Sequence, residues 1–204
     1  MIWRVSMRGV AAAMLVASAA LLGACANEPA PAPKADIGFV GKPVKLSVSS
    51  VAVDDRYNPP GRAPNVEQLH AVTPAGIAHR WADTRLVAVG QRGIATLTIL
   101  DGSVVETKLP VKGGVEGFFG DQVDTKLTAT LKAKLSVAIQ GDQPGNYANY
   151  SANVVATGEK TILQSANLND RDRAYFELMN IIAQKFDTAL TAEINRTMSP
   201  VLVP

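Results

Sequence analysis

The stretch Gln122–Gln140, QVDTKLTATLKAKLSVAIQ, alternates between two classes of residue. Its odd positions, from Val123 to Ile139, are apolar or small, and its even positions are polar except for Ala138. This period of two predicts a β-strand with one buried face and one solvent-exposed face. The strand would span roughly 55–60 Å, so we expect it to coil or to contain a bulge. Because its second face is polar, the sheet is predicted to be antiparallel and covered on one side only.

The sequence after this strand predicts a hairpin and then a helix. Gly141–Asn146 has the composition of a turn, and the alternation resumes from Tyr150 to Glu159, with small residues on the inner face that leave room for a helix. A last helix is predicted to start at Asn169-Asp170. Its apolar stripe consists of Tyr175, Met179, Ile182, Phe186, Leu190 and Ile194.

The sequence before the long strand predicts a strand and a first helix. In Pro43–Val53 the apolar positions change phase at Ser49-Ser50, which predicts one strand with a bulge. Thr73-Pro74 is a typical helix start and Gly90 a typical stop. Within this helix Trp81 is expected to be buried on the sheet. The polar side is expected to carry His79, Arg80, Asp83 and Arg85.

Two features of the middle region leave alternatives open. Asp101-Gly102 lies within the β-rich stretch Ile94–Leu109, where it is either a hairpin turn or an irregularity in one long strand; the flanking apolar residues favour the single strand. The glycine-rich connection Val111–Gly120 contains Phe118 and Phe119. These rings either pack into the core or are offered to a partner or to lipid.

The predicted order is therefore β-α-β-β-β-α. This order is typical of an α+β fold with two layers, in which both helices cover one face of a mostly antiparallel sheet.

The N-terminus has the three parts of an export signal. Arg4 and Arg8 precede the apolar run Val10–Leu22, and small residues follow up to Ala24. Residues 1–24 are therefore predicted to be a signal peptide. Without its two arginines, the 20 basic residues of the chain fall to the number of its 18 acidic residues. This balance gives no reason to expect a nucleic-acid partner.

The residues Leu22-Gly23-Ala24-Cys25 resemble a bacterial lipobox. The resemblance implies that the signal is cut before Cys25 and that this cysteine receives acyl chains, which would hold the chain on a membrane. Ala26 in the next position implies localisation to the outer membrane, and localisation to the inner membrane is the alternative. The Pro- and Ala-rich residues that follow predict a lipidated tether over 25–42, and residues 43–204 are predicted to form one periplasmic domain.

The sequence contains no recognisable catalytic or cofactor motif. Cys25 is the only cysteine, and the only histidines are His70 and His79, so no metal site is predicted. There is no phosphate-binding loop, dinucleotide fingerprint or nucleophile elbow. The charged run Asp170–Arg173 is interpreted as helix capping with surface ion pairs. We therefore expect no catalytic residue, no cofactor and no enzymatic activity.

With these features the chain resembles small envelope lipoproteins of α+β fold, such as the lipopolysaccharide-assembly lipoprotein and the auxiliary lipoproteins of ABC-type export systems. The resemblance implies a role in transport or assembly of envelope components through protein or lipid contacts. A lipid-tethered hydrolase and a purely structural lipoprotein are the alternatives.

Three lysines of the long strand are the candidate site for such contacts. Lys126, Lys132 and Lys134 share its polar face, where they either bind an anionic lipid or acidic partner or form an ordinary solvated surface.

Overall fold

The computed structural model describes residues 37–111, 121–140 and 147–204. These residues form two α-helices and eight strands, which confirms the predicted α+β class. The helices are α1, Pro74–Arg85, and α2, Leu168–Thr197, and short 3₁₀ turns lie at Glu67–Leu69 and Ser199–Val201. The strands are β1 Val44–Leu46, β2 Ser50–Asp55, β3 Leu86–Ala88, β4 Ile94–Asp101, β5 Val104–Lys108, β6 Val123–Gln140, β7 Tyr147–Leu163 and β8 Leu202–Val203.

The large sheet is built around β6. One edge of β6 pairs with β7 in an antiparallel register that runs from Val123 opposite Leu163 to Gln140 opposite Tyr147, which confirms the predicted pairing of the two strands. The predicted turn Gly141–Asn146 lies outside the described residues. The other edge pairs with β4 and β5, and β2 lies parallel to β4. A second, small sheet has the order β3-β1-β8.

Both helices pack on one face of the large sheet, which we call the inner face. The odd positions of β6 from Thr125 to Val137 are all buried there, whereas none of its even positions is buried. Trp81 of α1 is fully buried and makes an edge-to-face contact with Phe186 of α2, with 5.7 Å between ring centroids. All six residues of the predicted α2 stripe are buried. Gly158 of β7 lets α2 approach closely, because a Cβ there would press against Leu178.

The prediction of one bulged strand over Pro43–Val53 is wrong. The segment forms β1 and β2, which belong to different sheets. Between them the chain turns, with Val48 N–H donating to the Leu46 carbonyl at 2.8 Å and Ser49 N–H donating to the Gly93 carbonyl at 3.0 Å. The phase change at Ser49-Ser50 therefore marks the crossing from one sheet to the other.

The first helix starts as predicted but ends earlier. Thr73 is its cap, and its hydroxyl accepts a hydrogen bond from Gly76 N–H at 3.0 Å. The helix ends at Arg85 and not near Gly90, because Leu86–Ala88 pair with β1 as a parallel strand. Two β-branched residues, Val87 and Val89, favour this extended conformation.

Arg85 is buried, although it was predicted to lie on the polar side of α1. Its Nε lies 3.2 Å from Asp187 Oδ1 of α2, and Trp81 Nε1 donates to the same oxygen at 2.7 Å. Gly41 leaves room for the guanidinium, which a Cβ at that position would overlap. A partner from a distant helix therefore compensates the buried charge.

Asp101-Gly102 is not a hairpin turn. The register between β4 and β6 shifts by one residue between Ile99 and Asp101, and β5 continues along the same edge of β6 in the shifted register. Ser103 maintains the pairing across the gap, because its carbonyl accepts from Thr130 N–H at 2.9 Å. Strands β4 and β5 are thus one interrupted strand with a bulge, as the sequence favoured.

Two boundaries lie earlier in the chain than the sequence suggested. Helix α2 begins at Leu168 and is capped by Asn167, whose Oδ1 accepts from Asp170 N–H at 3.0 Å. Ile37, assigned by sequence to the tether, is 3% exposed and is part of the core. Its carbonyl accepts a hydrogen bond from Arg80 Nη1 at 3.2 Å.

Candidate functional site

The face of the large sheet opposite the helices, which we call the outer face, is polar and has no helix over it within the described ranges. Its side chains come from alternate positions of neighbouring strands. The main contributors are Thr96, Thr98, Thr128, Thr130, Lys132, Lys134, Ser136, Ser151, Asn153, Val155, Thr157 and Glu159.

The structure places the three predicted lysines on this face but in different surroundings. Lys126 Nζ lies 3.2 Å from Glu159 Oε1, so its charge is paired. Lys132 and Lys134 are exposed, and neither ammonium group has a hydrogen bond or ion pair among the described residues. Of the three lysines, Lys132 and Lys134 are therefore the two without an ion pair among the described residues.

Neighbouring strands place two hydrogen-bonding side chains beside Lys134, and a carboxylate and a valine beside Lys132. Lys134 lies between Thr98 of β4 and Asn153 of β7, and Lys132 lies between Asp101 and Val155. Asp101 is engaged by the backbone, because its Oδ1 accepts from Ser103 N–H at 3.0 Å. The two ammonium groups, two positions apart on one face, repel each other modestly unless an anion binds between them. Ammonium, hydroxyl and amide donors together suit phosphate or carboxylate oxygens.

A pocket of about 230 Å³ at the start of α2 is a second candidate. His70 stacks on Tyr175 there, with ring centroids 3.5 Å apart and planes 14° from parallel, and His70 Nδ1 lies 3.9 Å from Asp172 Oδ1. Two leucines beside it, Leu69 and Leu168, are 72% and 73% exposed. The pocket is lined by Val66, Leu69, His70, Glu106, Leu127, Ile162, Leu168, Arg171, Asp172 and Tyr175. We call it the His70 pocket.

Burial sets the protonation of the two stacked rings. It lowers the pKa of the His70 imidazole, and the nearby Asp172 carboxylate opposes this only in part. Burial also raises the pKa of the Tyr175 phenol, and the charge of Glu67 raises it further. Tyr175 Oη donates to the Val72 carbonyl at 3.0 Å. At neutral pH the pocket therefore presents a neutral imidazole and a protonated phenol.

The sequence reading missed the His70 pocket. It considered His70 only as a metal ligand and interpreted the Asp170–Arg173 run as capping and surface ion pairing. Part of that run forms such pairs, with Arg173 Nη1 3.4 Å from Asp170 Oδ1. Arg171 and Asp172, however, also line the pocket. No local signal links His70 to a helix about a hundred residues later, so only the fold brings them together.

Three predicted site residues, Cys25, Phe118 and Phe119, lie outside the described residues. Within the described ranges, no helix combines the length and apolar composition that a membrane span requires. In the same part of the chain, no group of three or more His, Cys, Asp or Glu is placed to hold a metal ion.

No protein-family model matches the chain, and no curated protein sequence is similar to it. Among solved structures, the chain is similar to a minor lipoprotein from Acinetobacter baumannii, with 12% sequence identity and a TM-score of 0.34. The similarity covers 78% of this chain and 98% of that chain.

Proposed function

We propose that this protein is a bacterial lipoprotein anchored in the outer membrane through Cys25. Its periplasmic domain acts without catalysis in the transport or assembly of envelope components, by binding a protein or lipid. The lipobox-like residues Leu22–Cys25, behind an export signal, support the anchor. The observation that carries the binding role is the open outer face with its two unpaired lysines, Lys132 and Lys134.

The expected ligand chemistry is an anionic surface. Each lysine close to an anionic membrane contributes about 1 kcal/mol of attraction, so two lysines bind only weakly by themselves. A lipid anchor compensates for this weakness, because it keeps the domain near the membrane and raises the effective concentration of the ligand.

We expect the double substitution of Lys132 and Lys134 by Gln to weaken binding of the mature chain, carrying Cys25→Ala, to vesicles that contain an anionic phospholipid. Wild-type binding should fall as salt concentration rises, because salt screens exposed charges. Vesicle co-sedimentation at low and high salt measures both effects.

Lys126→Gln is the matched control, because Lys126 lies on the same strand and face but is paired with Glu159. It should bind nearly as the wild type does. Equal binding by the wild type and the double variant at low salt would mean that Lys132 and Lys134 form an ordinary solvated surface that does not bind anions. Crosslinking in intact cells would then decide between a protein partner and a purely structural role.

The alternative of a lipid-tethered hydrolase requires a nucleophile activated by a base. In the described part of the chain the histidines face carboxylates, with His70 near Asp172 and His79 Nε2 3.5 Å from Asp55 Oδ2. Neither imidazole there is hydrogen-bonded to a serine or threonine hydroxyl. The non-enzymatic role is therefore the one we propose.

A further inference from the structure

Strand β7 has one long edge that pairs with no strand in the described part of the chain. It runs from Tyr147 to Leu163, and within the described residues it pairs only with β6. An unpaired edge presents a row of backbone N–H and C=O groups that only another extended polypeptide can match in register.

The other edges are short, charged or covered. Strand β2 has six residues and ends in two aspartates, and the strands of the small sheet have two or three residues each. The edge of β5 is covered by the segment Pro64–Val66, where Val66 N–H donates to the Val104 carbonyl at 2.9 Å. These are the usual ways in which proteins prevent edge-to-edge association.

Most of β7 lacks these protections. From Tyr147 to Gly158, YANYSANVVATG, it contains no charged residue and no proline, and its register with β6 has no bulge there. Val155 is 58% exposed in the middle of this stretch.

One lysine shows which backbone groups point outward. Lys185 of α2 donates from Nζ to the Thr157 carbonyl at 2.7 Å, so this carbonyl faces away from β6. In an antiparallel strand the N–H and C=O of one residue point to the same edge, and this direction alternates along the chain. Ser151, Asn153 and Val155 therefore direct their backbone groups outward as well. Lys185 blocks the edge at Thr157 and leaves the preceding residues free.

We propose that this free edge pairs with the same edge of a second copy of the chain. The two β7 strands would run antiparallel about a two-fold axis at Ser151, so that one sheet continues through both copies. This register places Ser151 beside Ser151 and Asn149 beside Asn153. It brings uncharged hydrogen-bonding side chains together and no like charges, and it leaves the bond between Lys185 and Thr157 intact. The inference does not depend on lipidation, although a shared membrane would favour the encounter.

A matched pair of serine variants of the full chain tests this proposal. Ser151 lies on the edge strand, and Ser136 lies beside it on β6, one strand further in. We expect Ser151→Cys to give a disulfide-linked dimer in intact cells treated with an oxidant, because a paired residue and its copy lie about 5.5 Å apart between Cα atoms. Ser136→Cys should give none. Cys25 is present in both variants, so any dimer through it appears equally in both and in the wild type.

A second change separates specific pairing from chance collision. In the Ser151→Cys background, Asn153→Lys places a lysine on the edge of each copy, which should reduce the cross-linked fraction about tenfold. Because Asn153 is exposed on the outer face, the monomer should remain folded, which limited proteolysis can verify. Equal cross-linking at positions 136 and 151 would overturn the proposal, as would cross-linking that Asn153→Lys does not reduce. If Ser151→Cys formed cross-links to a different protein and not to a second copy of this chain, the proposal of self-association would also be overturned.

Discussion

Glu67 is a carboxylate removed from water by folding, with 1% of its surface exposed. Tyr57 Oη donates to its Oε1 at 2.6 Å, and Val104 N–H donates to its Oε2 at 3.0 Å. Burial alone would raise its pKa, but these hydrogen bonds outweigh burial and lower it. Glu67 thus joins Tyr57 to the start of β5.

We expect Glu67→Gln to destabilise the domain by about 1–3 kcal/mol. Both carboxylate oxygens of Glu67 accept hydrogen bonds, and in the variant an amide NH₂ group would replace one of them and face a hydrogen-bond donor. The wild type should also lose stability more steeply than the variant as the pH falls below the ordinary Glu pKa of 4.5. The sign follows from the lowered pKa. As the pH falls, Glu67 is protonated in the unfolded state before it is protonated in the folded state, so the free energy of unfolding decreases. Urea unfolding between neutral and acidic pH measures both effects.

Glu106→Gln makes the same chemical change at a control position. Glu106 is partly exposed, and its carboxylate pairs with Lys108 at 3.2 Å on the surface. Such pairs contribute about 0–1 kcal/mol, so this variant should unfold close to the wild type. An equal loss in both variants would mean that the hydrogen bonds of Glu67 do not stabilise the fold.

Strand β6 separates two environments along a single backbone. Leu131 is fully buried against the helices, whereas Lys132, the next residue, is exposed on the outer face. We expect Leu131→Asp to unfold the domain, because it buries a charge without a partner. Circular dichroism and thermal melting of the purified variant measure this effect.

Lys132→Asp is the control for the same strand. It places a second carboxylate opposite Asp101, which should cost about 1 kcal/mol or less and leave the domain folded. Similar melting temperatures for the Leu131→Asp and Lys132→Asp variants would contradict the assignment of the two faces.

The sequence predicted the elements whose periodic patterns are long. The alternation of β6 and β7 and the stripe of α2 extend over enough residues to specify both the type of element and its buried face. The strands β1, β3 and β8 have two or three residues each, too few to show a period, so their sheet was missed. The end of α1 was misplaced for the same reason, because Leu86–Ala88 become a strand only through pairing with β1.

Most features of the candidate sites that the sequence could not predict depend on tertiary contacts. The shared face of Lys126, Lys132 and Lys134 follows from local alternation. Which lysine is neutralised depends on β7, because Glu159 reaches Lys126 and not the other two. The His70 pocket and the ion pair between Arg85 and Asp187 likewise join groups about a hundred residues apart. A helical pattern places Arg85 near the polar side and carries no information about a distant aspartate.

In the molecule as a whole, we expect the proposed anchor to be separable from the folded core. Among the described residues, the buried core begins at Ile37, twelve positions after Cys25, and includes residues as late as Val201. We therefore expect Cys25→Ala to abolish membrane attachment and leave the domain folded, because the acyl chains provide the membrane affinity and the described core residues lie later in the chain. Cell fractionation and metabolic labelling with a fatty-acid analogue measure attachment and acylation, and the thermal melting of the released protein reports the fold.

Ala24→Gly is the matched control, because it keeps a small residue before the cysteine and should remain labelled and membrane-bound. Fatty-acid labelling of the Cys25→Ala variant would show that the lipidated residue lies elsewhere, and loss of its cooperative melting would show that the anchor is needed for folding.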